Sequence, residues 1–185
     1  LTEKWAKQGM NPTQLAGAWN DYVPKHLLPR LYGYELMMAP YAIAHMKIGL
    51  KLAETGYHFG SEGRVRIYLT NALEPWQRQL NLPDFEALAH EAAAVNEIKR
   101  HKRFTVVIGN PPYSLYSANL GEDARKLIEP YRFVQGQRIR ERGALQLEKN
   151  LQDDYVKFFA LSETILTASG TGMLSFISNS GYIGN

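Results

Sequence analysis

Phe104-Thr105-Val106-Val107-Ile108-Gly109-Asn110-Pro111-Pro112-Tyr113 is the most informative run of the chain. Its first half is an uncharged run of β-branched and aromatic residues, the pattern of a strand buried on both faces of a sheet. The run stops at an amide followed by two prolines, which have no backbone N–H and so cannot extend a ladder. The stretch is expected to carry Asn110 to the end of a parallel strand, the edge at which open α/β sheets bind ligands. Each proline holds its own φ near about −65°, so the carbonyls of Asn110 and Pro111 point in set directions, and Tyr113 adds a flat ring. An amide oxygen, a rigid carbonyl and an aromatic face suit a planar group with an amino substituent, such as a nucleobase lifted out of its stack. The same letters can also spell a sharp turn with no chemistry attached, and the strand ahead of them is what favours a ligand.

Upstream, the pattern repeats the arrangement of strand, helix and strand. Leu31-Tyr32-Gly33-Tyr34-Glu35-Leu36 reads as a strand with Glu35 as the lone acid at its carboxyl end. Pro40 suits the first turn of a helix, Ile43, Met46, Leu50 and Ala53 recur at helical spacing, and Gly56 sits where a C-cap belongs. A second strand, Val65 to Leu69, ends at Thr70-Asn71-Ala72-Leu73-Glu74, which makes a βαβ unit. A helix from about Phe85 to Arg103 follows and closes on the basic run Lys99 to Arg103, favoured there by the helix dipole. His45, inside the first of these helices, is expected to be a packing side chain. Residues Leu1 to Leu28 read as helical pieces broken at Asn11-Pro12.

Downstream, Ser114 to Asn150 reads as a long polar excursion without regular structure, of the kind that forms lids or binding segments. In it Arg132, Arg138, Arg140 and Arg142 are interleaved with Tyr131 and Phe133, which fits a nucleic-acid path or, equally, a solvated charged helix. Asp153-Asp154 opens a helix from about Tyr155 to Ser169, and Met173 to Ser178 gives a fourth strand. The three strand ends thus bear Glu35, Asn71 and Asn110. A strand-end carboxylate can accept hydrogen bonds from both hydroxyls of a ribose, although an isolated one is more often a surface charge.

With 185 residues the chain can bury about 70% of its unfolded surface in one core, and it is read as a single domain over residues 1–185. Net charge is +3 with a pI near 9.0, which is compatible with a phosphate backbone as partner without requiring one. The absence of cysteine excludes a disulfide framework and a thiolate metal site. No uncharged run approaches the roughly 20 residues of a membrane span and no leader is visible, so no membrane partner and a cytoplasmic location are expected. A leucine at position 1 and a strand trailing out at Asn185 suggest a segment cut at both ends from a longer polypeptide.

Asn110-Pro111-Pro112-Tyr113 resembles the signature of amino-group methyltransferases that use S-adenosylmethionine, above all the adenine-N6 DNA methyltransferases. Related tetrapeptides occur in families that methylate protein glutamine amides and ribosomal-RNA guanine amines, so the motif specifies chemistry better than substrate. Gly33 to His45, Ile67 to Glu74 and Leu151 to Phe158 extend the likeness, in order, to the methyltransferase part of the single-chain type ISP restriction-modification enzymes. That resemblance implies a partial Rossmann-like α/β sheet with helices on both faces, lacking the first strand and the glycine-rich loop. It implies S-adenosylmethionine as methyl donor, with no metal needed for the transfer, and double-stranded DNA with a flipped adenine as substrate. Nuclease, helicase-like and target-recognition regions of the same polypeptide would be partners.

Carried over by position, the resemblance gives Glu35 the ribose hydroxyls, Leu36 and Ala72 the flanks of the cofactor's adenine, Asn71 its amine, and Phe158 an aromatic contact to the cofactor. Asn110, which the resemblance also counts among the cofactor-binding residues, and the Pro111 carbonyl would hold the target amine, with Pro112 stiffening the turn and Tyr113 stacking on the base. Ser114-Leu115-Tyr116-Ser117 departs from the small, glycine-containing continuation expected in the family. A glutamine-amide protein methyltransferase and a non-catalytic DNA-binding module of the same fold are the competing readings.

Overall fold

The computed structural model describes residues 1–60, 63–74, 86–113, 119–140 and 144–178. They form two units, Leu1–Ala72 and Leu73–Asn185, each with its own packing.

The first unit starts with two helices, α1 (Thr2–Lys7) and α2 (Pro12–Tyr22). Asn11-Pro12 is a helix start, not only a break: the Asn11 side chain accepts from Gln14 N and Gln14 returns the bond in a capping box, with Pro12 as the first helical residue. A π turn (Val23–Leu27) and a 3-10 turn lead into β1 (Tyr32–Glu35), α3 (Met38–Glu54) and β2 (Arg66–Leu69). β1 and β2 pair in parallel, Tyr32 opposite Arg66 and Glu35 opposite Leu69, so the expected βαβ unit is present. Gly56 stands just past the end of α3 with φ +80, a backbone conformation that glycine adopts without steric cost. Val23, Leu28, Leu52 and Tyr57 form the core, with Trp19, Leu27 and Ile48 against it. Asn20 ties α2 to the end of α3, donating to Gly56 O at 2.8 Å and accepting from His58 N at 2.9 Å. His45 is a packing residue, its Nε2 lying 3.2 Å from the Ile67 carbonyl.

The second unit holds α4 (Glu86–His101), β3 (Val106–Gly109), α5 (Glu122–Ile128), a hairpin of β4 (Phe133–Val134) and β5 (Gln137–Arg138), α6 (Ala144–Leu151), α7 (Asp154–Ser169) and β6 (Met173–Phe176). β3 and β6 pair in parallel, Val106 opposite Met173 and Gly109 opposite Phe176. Ser169 Oγ donates to the Phe104 carbonyl at 2.8 Å and fastens the end of α7 to the entry of β3. Ile128, Leu151 and Ala160 centre a second core that joins α5, α6 and α7. Mixed helices and small parallel sheets make the chain α/β.

Two expectations need correction. β3 is not buried on both faces: Val107 and Gly109 are half-buried, whereas Val106 is 54% and Ile108 78% exposed, because that face carries no covering layer among the described residues. The stretch after Tyr113 is not an irregular excursion either. It folds into α5, a 3-10 turn, the hairpin and α6, since Ala124, Ile128 and Leu151 give it an apolar side to bury. Ser114 to Ala118, Arg142 and the trailing residues 179–185 lie outside the described residues.

Candidate active site

The end of β3 is shaped by a missing side chain. A Cβ on Gly109 would stand 2.8 Å from the Phe176 ring, so only glycine lets that ring lie across the strand end. Phe176 in turn packs edge-on against Phe159 of α7, with ring centroids 5.2 Å apart. The ladder continues one bond further, from Ile177 N to Gly109 O at 3.1 Å, and releases the chain at Asn110.

There Asn110, Pro112 and Tyr113 are exposed while Pro111 is buried. Tyr113 Oη lies 2.8 Å from Asn110 Oδ1 and 2.8 Å from the Ile177 carbonyl oxygen. A hydroxyl has one proton, and the Ile177 carbonyl can only accept. If the proton goes to Ile177, a half-turn of the Asn110 amide lets Nδ2 donate to Oη and turns the amide oxygen toward solvent, where it can accept from a ligand. The tetrapeptide therefore brings together an amide and a phenol, whose hydroxyl reaches the Ile177 carbonyl just past β6.

In the first unit, Glu35 closes β1. Its Oε1 accepts from the Leu36 and Met37 amides at 2.8 and 3.0 Å, which orients the carboxylate without using up its four lone-pair sites. Leu36, Met37 and Met38 beside it are each 61% exposed. The Glu35 carbonyl receives Thr70 N at 2.7 Å, so Asn71 and Ala72, both half-buried, follow directly on the last bond of the β1–β2 ladder.

Phe158 is half-buried on α7, but its neighbours dominate that helix start. Asp153 caps α7, accepting from Tyr155 N at 3.3 Å. Lys157 is fully buried, with Nζ 2.9 Å from the Asn119 carbonyl and 3.4 Å from Asp154 Oδ1. It pins the chain that returns from the tetrapeptide onto α7. Reading the sequence missed Lys157, Phe159 and Phe176; the one signal was Asp154 and Lys157 spaced three apart, on one side of a helix.

Of the basic residues singled out above, Arg132 is withdrawn from solvent. Its Nε and NH2 reach Glu148 at 2.8 and 3.1 Å, and NH1 donates to Glu129. Glu148 is held below the usual carboxylate range chiefly by the Arg132 hydrogen bonds. Lys99, in the basic run, donates to the Glu74 carbonyl at 2.9 Å, and its burial lowers its pKa. Among the described residues no helix is long and apolar enough to cross a membrane.

Comparison with curated proteins gave no match. Two solved structures are similar over nearly the whole chain. One is an ATP-dependent type ISP restriction-modification enzyme, LlaBIII, bound to DNA: TM-score 0.62, 20% identity, 98% of this chain and 12% of that one. The other is a nuclease-deletion mutant of the type ISP enzyme LlaGI in complex with a DNA substrate mimic: TM-score 0.62, 20% identity, 99% of this chain and 14% of that one. The chain thus has their fold while spanning about an eighth of their length. Residues 30–185, which include every strand among the described residues and the tetrapeptide, match the profile of the Eco57I restriction-modification methylase. On that match the chain belongs to the Eco57I restriction-modification methylase family.

Proposed function

We propose that the chain is the catalytic segment of an adenine-N6 DNA methyltransferase within a restriction-modification polypeptide, using S-adenosylmethionine. The observation that carries the reading is the amide of Asn110, presented at the end of β3 beside Tyr113, whose hydroxyl lies within hydrogen-bond distance of both that amide and the Ile177 carbonyl. Family membership and the likeness to two DNA-bound enzymes support DNA as the substrate. A Rossmann-like arrangement of the strands and a single catalytic domain belong to this proposal.

The residues in the first unit fit the methyl donor by their chemistry. Glu35 is an ionisable acceptor fixed by two backbone amides, suited to vicinal hydroxyls, and exposed Leu36 offers an apolar surface to an adenine ring, with Asn71 and Ala72 close in sequence to the β2 end. Phe158 would add an aromatic contact from α7. When bound, S-adenosylmethionine supplies an electrophilic methyl group on a sulfonium.

The exocyclic amine of adenine is a poor nucleophile because its lone pair is delocalised into the ring. Asn110 Oδ1 and the Pro111 carbonyl, accepting its two N–H bonds, favour a pyramidal nitrogen whose lone pair is localised and aimed. Transfer of the methyl group would leave the nitrogen cationic and the donor as a neutral thioether, and Asn110 Oδ1 and the Pro111 carbonyl would keep hold of the N–H bonds until one proton passes to solvent. Tyr113 stacking would offset part of the cost of flipping the base, by about 1–3 kcal/mol.

The test uses the intact protein, S-adenosylmethionine labelled in its methyl group and duplex DNA. Label is expected on adenine N6. Asn110→Ala should slow single-turnover transfer by about 10²–10³ with cofactor affinity retained, as for loss of one preorganised polar group elsewhere. Glu35→Gln should instead weaken cofactor binding by about tenfold, the loss expected on neutralising an acceptor of two hydroxyls. Label on glutamine amides of protein, or transfer indifferent to Asn110, would exclude the reading.

A further inference from the structure

The arginines between Tyr131 and Arg142 divide into two roles. Arg132, 8% exposed, is committed to Glu148 and Glu129. Such a paired, planar guanidinium fixes geometry as well as charge. Directly beyond it, Ile139 N donates to the Arg132 carbonyl at 2.9 Å and closes the foot of the β4–β5 hairpin. The foot of this arm is therefore closed by hydrogen bonds, and Glu148 there also feels the charge of Arg138.

The outer part has a different character. Gln135 and Gly136 form the two-residue turn with φ of 51 and 78, the positive values that a type I′ turn demands. Glycine takes them freely, whereas a glutamine there is uncommon and mildly strained. Phe133 is 43% and Val134 60% exposed, and Gln135, Gln137, Arg138 and Arg140 are exposed as well. Phe133 pairs with Arg138 on one face of the ribbon and Val134 with Gln137 on the other. Among the described residues, the core of this unit leaves Phe133 and Val134 exposed, and Gln135 is held at a positive φ at the tip of the arm. A two-stranded ribbon of this width fits the major groove of a duplex, arginines suit its phosphates, and a glutamine amide can bond both ways to a base edge.

We propose that the hairpin of residues 132–139 is a groove-reading arm for duplex DNA, in which Gln135 contacts a base edge and Arg138 and Arg140 hold backbone phosphates. It rests on the DNA methyltransferase reading above and adds the element that selects and grips the duplex.

The test measures binding of the intact protein to two short fluorescein-labelled duplexes, one containing a site that the parent methylates and one without it. Gln135→Gly relieves the turn, so thermal stability should hold or rise. Affinity for the site-bearing duplex should nevertheless fall about 5- to 150-fold, the discrimination of one good base contact, with the other duplex little changed. Arg138→Ala should weaken both duplexes and flatten the salt dependence by about 0.9 in log–log slope per phosphate lost. Asn110→Ala is measured beside them. If it binds without methylating while both hairpin variants bind like the parent, the arm is overturned and the methyltransferase reading stands. If the parent has no affinity for either duplex, both fall. Variants that leave DNA binding intact but change association between protein regions would make the hairpin a protein-docking element and also overturn the proposal.

Discussion

Tyr113 offers two separable things at the strand end, a ring and a hydroxyl, and the structure gives the hydroxyl two neighbours at 2.8 Å. Tyr113→Phe keeps the ring and releases the Asn110 amide from its tether to Ile177, at a cost of about 1 kcal/mol for one ordinary hydrogen bond. Methyl transfer should fall about fivefold with that variant and further with Tyr113→Ala, which also removes the stacking face; single-turnover rates on duplex DNA separate the two. Tyr34 makes a second prediction. Burial, with Tyr68 and Tyr32 adding to it, pushes its pKa from 10.0 up to about 12. The folded chain keeps this proton over a window in which the unfolded chain releases it. The contribution to stability is therefore complete below pH 10 and is lost as pH rises toward 12. Denaturant midpoints should decline across that window, and Tyr34→Phe should remove part of the slope.

At the scale of elements, α7 positions the candidate site, and it does so through residues with no part in the motif. Phe159 supports Phe176, which crosses Gly109, while Lys157 holds the Asn119 carbonyl at the far end of the segment that follows Tyr113. Lys157→Met would leave Asp154 and the Asn119 carbonyl buried without this donor. The expected loss is about 3 kcal/mol, the scale for breaking a buried pair, and Lys157→Met with Asp154→Asn should recover part of it. Chemical denaturation of the three proteins decides; additive losses would mean the pair is not coupled. The hairpin makes the same point about context. Arg132 and Arg138 look alike in the sequence, yet one serves as an internal fastener and the other stands in solvent, because Glu148 comes from α6 and Glu129 from the end of α5.

For the whole molecule, the largest departure from expectation is the uncovered side of β3 and β6, where Val106, Ile108, Met173 and Ile177 are 54, 78, 72 and 69% exposed. An apolar face of this kind marks a surface that associates. Much of the fold was legible beforehand. The βαβ unit, the helix before the central strand and the acid-capped α7 follow from apolar periodicity and cap residues, which are local properties of a chain. Asn110 and Glu35 at strand ends were legible for the same reason, since a strand's last residue is marked by what breaks it. Burial was not legible, because it depends on what lies opposite: Ile177 reaches Tyr113 across 64 residues, Lys157 reaches Asn119 across 38, and Glu148 selects Arg132 from its neighbours. Short-range sterics and patterning along the chain thus specify the elements and the residues at their ends. Which charges are buried, which tyrosine oxygen meets the Asn110 amide and which apolar face stays open were settled by the folded arrangement, since those depend on contacts between residues far apart in the chain.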